Sequence, residues 1–305
     1  MAGRRSSTGT RRTSALLALA LTLAAGAGEP ACAGTLAPAV EAESPPAAAD
    51  TAASPPAAAA SPSPALSYPR LVLSDLRHEL GAPLRWRARE WGWFSLAVSG
   101  VGVAALADRS VRDSEQRDHS RLADAVARDF EPLGSAGAFG VLGAFYLAGV
   151  VGHDDRGRAV GEDGLAASLI AAGILTPVLK DLAGRQRPHQ TSKTFDFTPF
   201  GGGASFPSGH TTEAFAVASV IATDYHSGWI SAVSYGSAAL VGFARVHHQA
   251  HFLSDVTASA FIGTAVGRSV ALFNRGQRGR SRRAFVVAPI AGPRRQPGIA
   301  LALSF

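Results

Sequence analysis

The chain has 305 residues, of which 47% are hydrophobic and 17% charged, and its formal net charge is +6 at pH 7. Its single cysteine, Cys32, excludes a disulfide framework, so packing must hold the fold together. No basic patch is interleaved with aromatic residues, which excludes nucleic acid as a partner.

Residues 1–33 have the pattern of a secretory signal peptide. Arginines at positions 4, 5, 11 and 12 precede an apolar run over 15–25, and Ala31-Cys32-Ala33 resembles a cleavage site. Cleavage after Ala33 would place the chain in the cell envelope. The alternative is an uncleaved anchor, although the apolar run is short for a membrane span.

The next segment, 34–68, consists almost entirely of Ala, Pro, Ser, Thr and Glu. Such a composition has too few large apolar groups to bury a core, so it predicts a disordered linker. A helical domain is predicted to follow over 69–274.

Six apolar stretches within that domain predict six helices. A charged stretch, 108–131, predicts a short amphipathic helix with Leu122, Val126 and Phe130 facing the core. The helices lie at about 91–107, 133–152, 164–179, 211–223, 229–244 and 256–273.

The last segment, 275–305, differs from the helical part. Arg275 to Arg283 predicts a basic hinge, and AFVVAPI and IALALSF predict a C-terminal β-hairpin.

Membrane insertion is left open by the lengths of the apolar stretches. Only 133–152 approaches the roughly 20 residues that a span needs. If a signal is cleaved and three spans precede Lys180, this lysine emerges on the cytoplasmic side. The two alternatives are an inner-membrane protein whose active site faces the periplasm and a soluble periplasmic protein, with an extracytoplasmic site in both.

Three polar segments carry groups suited to a phosphate. In KDLAGRQRP, Lys180 supplies an ammonium and Arg187 a planar fork of N–H donors. In FPSGHTTEAF, Ser208 and Gly209 precede an apolar stretch, so backbone N–H groups at a helix start can point at an anion beside His210.

The third segment, ARVHHQAHFLSD, carries Arg245, His251 and Asp255. The spacing of four residues predicts that His251 and Asp255 share one helix face. Such a carboxylate fixes the imidazole tautomer and leaves the other ring nitrogen free to attack. His247 and His248 point to other faces and are interpreted as residues that do not contact substrate.

In the order K-x6-RP, PSGH and R-x5-H-x3-D, these segments resemble the signature of the type 2 phosphatidic acid phosphatase and vanadium haloperoxidase superfamily. The resemblance covers about residues 165–270 and departs at Ala244, where the family usually has serine. It implies an all-α, six-helix-type phosphatase bundle with the active site at one end, to which the sequence adds the small C-terminal β-hairpin.

The resemblance also implies roles for single residues. His251 would be the nucleophile that forms a phosphohistidine, Asp255 its orienting partner, and His210 the general acid for the leaving group. The phosphoryl oxygens would be held by Lys180, Arg187, Ser208, Gly209 and Arg245. Fixed cations then perform the charge neutralisation that Mg²⁺ performs elsewhere, so no metal or other cofactor is predicted.

We therefore predict a metal-independent phosphoric ester hydrolase of the cell envelope, acting on a lipid phosphate such as phosphatidate or an isoprenoid diphosphate. The alternatives are a soluble periplasmic acid phosphatase, a haloperoxidase with vanadate as its cofactor, and a non-enzymatic phosphate-binding protein. In a phosphatase, vanadate would bind as an inhibitor. The leaving group and the oligomeric state are left open.

Overall fold

A computed structural model describes residues 68–117, 120–282, 285–291 and 297–303. The predicted signal peptide (1–33) and all but the last residue of the predicted linker (34–68) lie outside these described residues.

The predicted helical fold is confirmed. Short 3₁₀ turns at Pro83–Arg85 and Glu131–Gly134 connect neighbouring helices, and a π-helical segment, Leu169–Leu175, interrupts α5. The helices are α1 (Tyr68–Leu80), α2 (Ala88–Glu115), α3 (Arg121–Phe130), α4 (Ala136–Val151), α5 (Asp155–Ala183), α6 (Gly209–Tyr225), α7 (Gly228–His247) and α8 (Leu253–Arg282).

The charged stretch 108–131 differs from its prediction. Its first part continues α2 to Glu115, and only Arg121–Phe130 forms the separate amphipathic helix α3. Leu122 is not core-facing, because its side chain is 74% exposed. The buried face of α3 is formed by Ala127, which is fully buried.

The core lies where α5, α6 and α8 pack through small and β-branched side chains. Ala167 and Ile170 of α5 meet Ala216 and Val220 of α6 and Val270 of α8, all essentially inaccessible to solvent. Small residues let helix backbones approach closely, so the Ala/Gly-rich composition serves tight packing.

One such close approach gives a stability prediction. A Cβ added at Gly263 of α8 would lie 2.4 Å from the Thr212 carbonyl oxygen of α6. Gly263→Ala is therefore expected to lower the free energy of unfolding by about 1–3 kcal/mol. The matched control is Gly276→Ala on the same helix, where no atom lies within 4 Å. Thermal unfolding of both variants checks this, and equal stabilities would contradict the close packing.

The basic segment predicted as a hinge is helical instead, since α8 continues to Arg282. Two of its arginines are held by acids of other helices: Arg275 lies 3.0 Å from Asp224, and Arg278 lies 2.6 Å from Asp163. Beyond α8, strands β1 (Phe285–Ala291) and β2 (Pro297–Leu303) pair antiparallel, with Ala288 opposite Ala300.

Among the described residues, three helices are long and apolar enough to cross a membrane: α2, α5 and α8. The bent pair formed by Arg121–Gly134 and α4 is a fourth candidate. Many large apolar side chains on these helices face outward, among them Trp93 (67% exposed), Leu106 (82%) and Val151 (78%). Such an outward apolar surface is expected of a bundle embedded in lipid, so the chain is a membrane protein.

Candidate active site

The three motif segments meet at one end of the helix bundle. Lys180 lies in the last turn of α5, which ends at Gly184 with a left-handed φ of 58°. Ser208 is the N-cap of α6, and Arg245 lies in the last turn of α7. His251 lies in the loop between α7 and α8. The ends of two helices and the starts of two others therefore surround one site.

His251 is buried, with only 3% of its surface exposed. Its Nδ1 lies 2.6 Å from the backbone carbonyl oxygen of Ser205, which can only accept a hydrogen bond. Nδ1 therefore carries the proton, and Nε2 keeps a free lone pair. Burial lowers the pKa of His251, although the negative charge of Asp255 acts in the opposite direction. The site thus holds a neutral imidazole with one basic nitrogen.

Asp255 is placed differently from the expectation of a shared helix face. His251 precedes α8, and its Nδ1 lies 3.8 Å from Asp255 Oδ2, beyond hydrogen-bond range. In the first turn of α8, the carboxylate instead accepts from the Phe252 backbone N–H at 2.9 Å. It also accepts from Ser205 Oγ at 2.5 Å. Ser205 therefore links Asp255 to His251 through its hydroxyl and its carbonyl.

A buried arginine that the sequence analysis did not single out completes this arrangement. Arg185 lies 2.5 Å from Asp255 Oδ1 and 2.8 Å from Asp108 Oδ2 of α2. All three residues are at most 1% exposed. Two signals pointed to this pair: Arg185 stands inside the K-x6-RP motif, and Asp108 is a charge at the edge of an apolar run.

The start of α6 presents donors to the site. Ser208 Oγ accepts from Thr211 Oγ1 at 3.0 Å, so its own hydrogen can donate to a ligand. The Ser208 backbone N–H is already used, since it donates to Ser259 Oγ at 2.7 Å. The N–H groups of Gly209 and His210 are the first of α6, where helix geometry leaves donors without intrahelical partners and the dipole is positive.

Positive charge surrounds His210. Burial lowers the pKa of His210 to about 4, and the nearby cation Arg245 contributes in the same direction, with smaller contributions from His251 and Lys180. Lys180 Nζ donates to the Ala204 carbonyl oxygen at 2.9 Å. Arg187 lies near enough to Arg245 for the two positive charges to repel each other. The predicted cations and the two histidines that are predicted to be catalytic are thus neighbours.

Glu131, a second residue that the sequence analysis missed, binds one of these cations. Its carboxylate forms an ion pair with Arg245 Nη1 and lies 2.9 Å from His248 Nδ1. Arg245 Nε is buried and makes no hydrogen bond. A phosphoryl oxygen can therefore bind Arg245 through the free Nε–H while the ion pair with Glu131 stays intact.

A cavity of about 770 Å³ opens beside His210. It is large enough for part of a leaving group, and all but one of its lining residues are polar or charged. His248, interpreted from the sequence as remote from substrate, lines it, whereas His247 bridges Glu115 and Asp124 at 2.7 and 2.9 Å. The lining residues are Arg121, Asp124, Arg128, Glu131, Pro132, Ser135, His210 and His248.

The donor set as a whole suits a tetrahedral oxyanion. It combines the cations Lys180, Arg187 and Arg245 with hydrogen-bond donors at Ser208 and Gly209. Phosphate and vanadate both have the shape and charge that such a set binds. Within the described part of the chain, no group of three or more His, Cys, Asp or Glu residues is arranged to hold a metal ion.

A family model and two curated proteins match the part of the chain that contains the site. The family model of the PAP2 superfamily matches residues 164–278, which include all three motifs. The lipid A 1-phosphatase of Porphyromonas gingivalis is 33% identical over 113 residues, covering 36% of this chain and 23% of that protein. The lipid A 1-phosphatase of Rhizobium etli is 35% identical over 107 residues, covering 32% of this chain and 44% of that protein.

The chain thus matches less than half of the length of these curated relatives. Among solved structures, a transmembrane PAP2-type phosphatidylglycerolphosphate phosphatase from Bacillus subtilis is 20% identical, with a TM-score of 0.35. That similarity covers 70% of this chain and 96% of the other.

Proposed function

We propose that this protein, whose residues 164–278 match the family model of the PAP2 superfamily, hydrolyses phosphate esters of membrane lipids through a phosphohistidine at position 251. The observation that carries the proposal is the neutral, buried His251 with its Nδ1–H on the Ser205 carbonyl, among three cations.

In the first step, Nε2 of His251 attacks phosphorus, and the bond from phosphorus to the leaving-group oxygen breaks. Lys180, Arg187 and Arg245 offset the charge on the phosphoryl oxygens, and Ser208 Oγ and the Gly209 N–H donate to them. His210 gives its proton to the departing alkoxide. Its low pKa in the free site must rise for this step, and a bound phosphoryl dianion supplies the negative charge that raises it.

In the second step, water replaces the histidine. Neutral His210 takes a proton from the attacking water, the N–P bond breaks, and inorganic phosphate leaves. The pair of electrons returns to Nε2, so His251 is neutral again and the cycle closes.

For the substrate, we propose a lipid phosphomonoester with a polar group next to the phosphate. The polar and charged residues that line the cavity beside His210 can form hydrogen bonds with such a leaving group. The two relatives named above are lipid A 1-phosphatases, which supports lipid A as one candidate. Phosphatidate and isoprenoid diphosphates are the other candidates.

A substrate panel tests this proposal. Purified protein in detergent is expected to release phosphate from at least one of lipid A, phosphatidate and an isoprenoid diphosphate faster than from soluble monoesters such as glycerol phosphate. Equal rates on soluble esters, independent of detergent, would support a soluble-type acid phosphatase instead. Bromide oxidation dependent on vanadate and peroxide would support the haloperoxidase.

We also propose that the active site faces the extracytoplasmic side. Membrane phosphatases of the family that the chain resembles generally have their active sites on this side, which supports the proposal.

This orientation conflicts with a cleaved signal. If α2, the bent pair and α5 each cross the membrane, the start of α2 and Lys180 lie on opposite sides. An extracytoplasmic site then requires the start of α2 to be cytoplasmic, which is incompatible with export of the chain by cleavage after Ala33. We therefore propose that either one of these three segments does not cross the membrane or residues 1–33 are not removed as an export signal.

Cysteine labelling in intact cells tests the orientation. In a Cys32→Ser background, Lys193→Cys at the site end is expected to react with a membrane-impermeant maleimide. Arg156→Cys at the opposite end should react only after the cells are permeabilised. Both native residues are exposed, so each cysteine is accessible once its side of the membrane is reached. The reverse pattern would place the site in the cytoplasm.

A further inference from the structure

Arg185 is the largest fully buried side chain in the described part of the protein. Burying a guanidinium is costly unless its donors are satisfied. Arg185 meets this requirement with Asp108, Asp255, Ser254 Oγ at 2.7 Å and the Thr194 carbonyl. Because Asp255 belongs to the site, Arg185 is connected to the site by a direct ion pair.

Aromatic rings isolate this cation from water. The guanidinium carbon lies 4.2 Å from the ring centroid of Phe252 and 5.0 Å from that of Phe197. A water-poor surrounding strengthens electrostatic interactions, so the two ion pairs are strong constraints on geometry. The arrangement fixes Asp255 against α2 through Asp108.

Two further hydrogen bonds connect Asp255 to His251, the proposed nucleophile. Asp255 Oδ2 accepts from Ser205 Oγ at 2.5 Å, and the Ser205 carbonyl accepts from His251 Nδ1 at 2.6 Å. The Ser205 backbone N–H also donates to the Arg185 carbonyl at 2.9 Å. Arg185 therefore holds both the side chain that binds Ser205 and the backbone of Ser205 itself.

From these contacts we propose that Arg185 is a positioning residue that, through Asp255 and Ser205, fixes the orientation and tautomer of His251. This inference rests on the proposed function, because it assigns His251 the role of nucleophile. In the same arrangement Arg185 neutralises carboxylates that would otherwise attract a second proton to the imidazole.

The electrostatic part of the proposal has a defined direction. The charged or titratable groups that face His251 are Asp255 of α8, Lys180 of α5, Arg245 of α7 and His210 of α6. Without the Arg185 charge, Asp108 and Asp255 are uncompensated, so their negative potential raises the pKa of His251. A larger fraction of His251 is then protonated and cannot attack.

The test compares pH profiles of kcat/KM for the full-length protein, whose acid limb reports loss of the His251 proton. Arg185→Met is expected to lower kcat about 10- to 100-fold, as loss of a supporting contact does elsewhere. It should also move the acid limb to higher pH, leaving KM nearly unchanged.

Adding Asp108→Asn to Arg185→Met removes one uncompensated charge and should move the acid limb back to lower pH. Arg185→Lys keeps the charge without the fork, so kcat should fall while the limb stays.

The matched control is Arg278→Met, which breaks the ion pair with Asp163 in α5, away from the site. It should lower thermal stability without moving the acid limb. If Arg185→Met does not fold, Arg185→Lys decides the question through its kcat. An unchanged kcat for Arg185→Lys, or an acid limb that stays in place in a folded Arg185→Met, would overturn the inference. The proposed function fails separately, if His251→Ala retains activity.

Discussion

Replacing His251 with alanine is expected to lower the rate of phosphate release at least about 10⁴-fold, as loss of an activated nucleophile does in other enzymes. The physical reason is that the neighbouring groups bind or orient but do not attack. In the proposed mechanism, Lys180 and Arg245 hold the phosphoryl oxygens, and His210 serves the leaving group. Purified variant and parent protein are compared on the best lipid substrate.

A matched histidine at the opposite end provides the control for this prediction. His226 has a left-handed φ of 51°, a conformation that asparagine tolerates, and it contacts Arg275 at 3.0 Å. His226→Asn is therefore expected to keep the parent rate. Phosphate release by His251→Ala at the rate of this control would remove the nucleophile assignment.

Replacing His210 with alanine is expected to lower the rate on lipid phosphates about 10²–10⁴-fold, the usual contribution of a general acid. An alkoxide is a poor leaving group and needs the proton that His210 supplies. On p-nitrophenyl phosphate, whose leaving group departs without a proton, the first step should be nearly unaffected. The comparison of the two substrates isolates general-acid catalysis from binding.

The control for this variant is His189→Ala. The His189 side chain is exposed and contacts the Gln249 carbonyl, so its loss should leave both substrates unaffected. An equal loss in the rate of the first step, measured before hydrolysis of the intermediate, on both substrates in His210→Ala would instead indicate that His210 binds the phosphoryl group in both.

The motif residues could be predicted from the sequence because their chemistry is local. Lys180, His210 and Arg245 are polar groups at helix ends next to apolar stretches, Arg187 lies in the loop that follows Lys180, and the structure brings the four together. The start of α6 after Ser208 is one example, since a serine N-cap before an apolar run is a strong helix-start signal.

The ion pairs that hold the motif residues in place could not be predicted, because they join segments that are distant in the sequence. Arg185 and Asp108 are 77 positions apart, and Glu131 and Arg245 are 114 positions apart. No periodicity in one segment reports such a pairing. The interaction of Asp255 was misjudged for a related reason: the spacing assumed a helix through His251, whereas α8 begins only at Leu253.

A covalent phosphohistidine at position 251 can be trapped if the His210→Ala variant is mixed with p-nitrophenyl phosphate and the reaction is stopped during turnover without acid. In this variant the first step should remain fast and hydrolysis should be slow, because no base activates the water. We expect a burst of p-nitrophenol equal to the enzyme concentration. We also expect one phosphoryl group per enzyme molecule, on the peptide that contains His251. A burst without this label, or a phosphoryl group on another residue, would contradict a phosphohistidine at position 251.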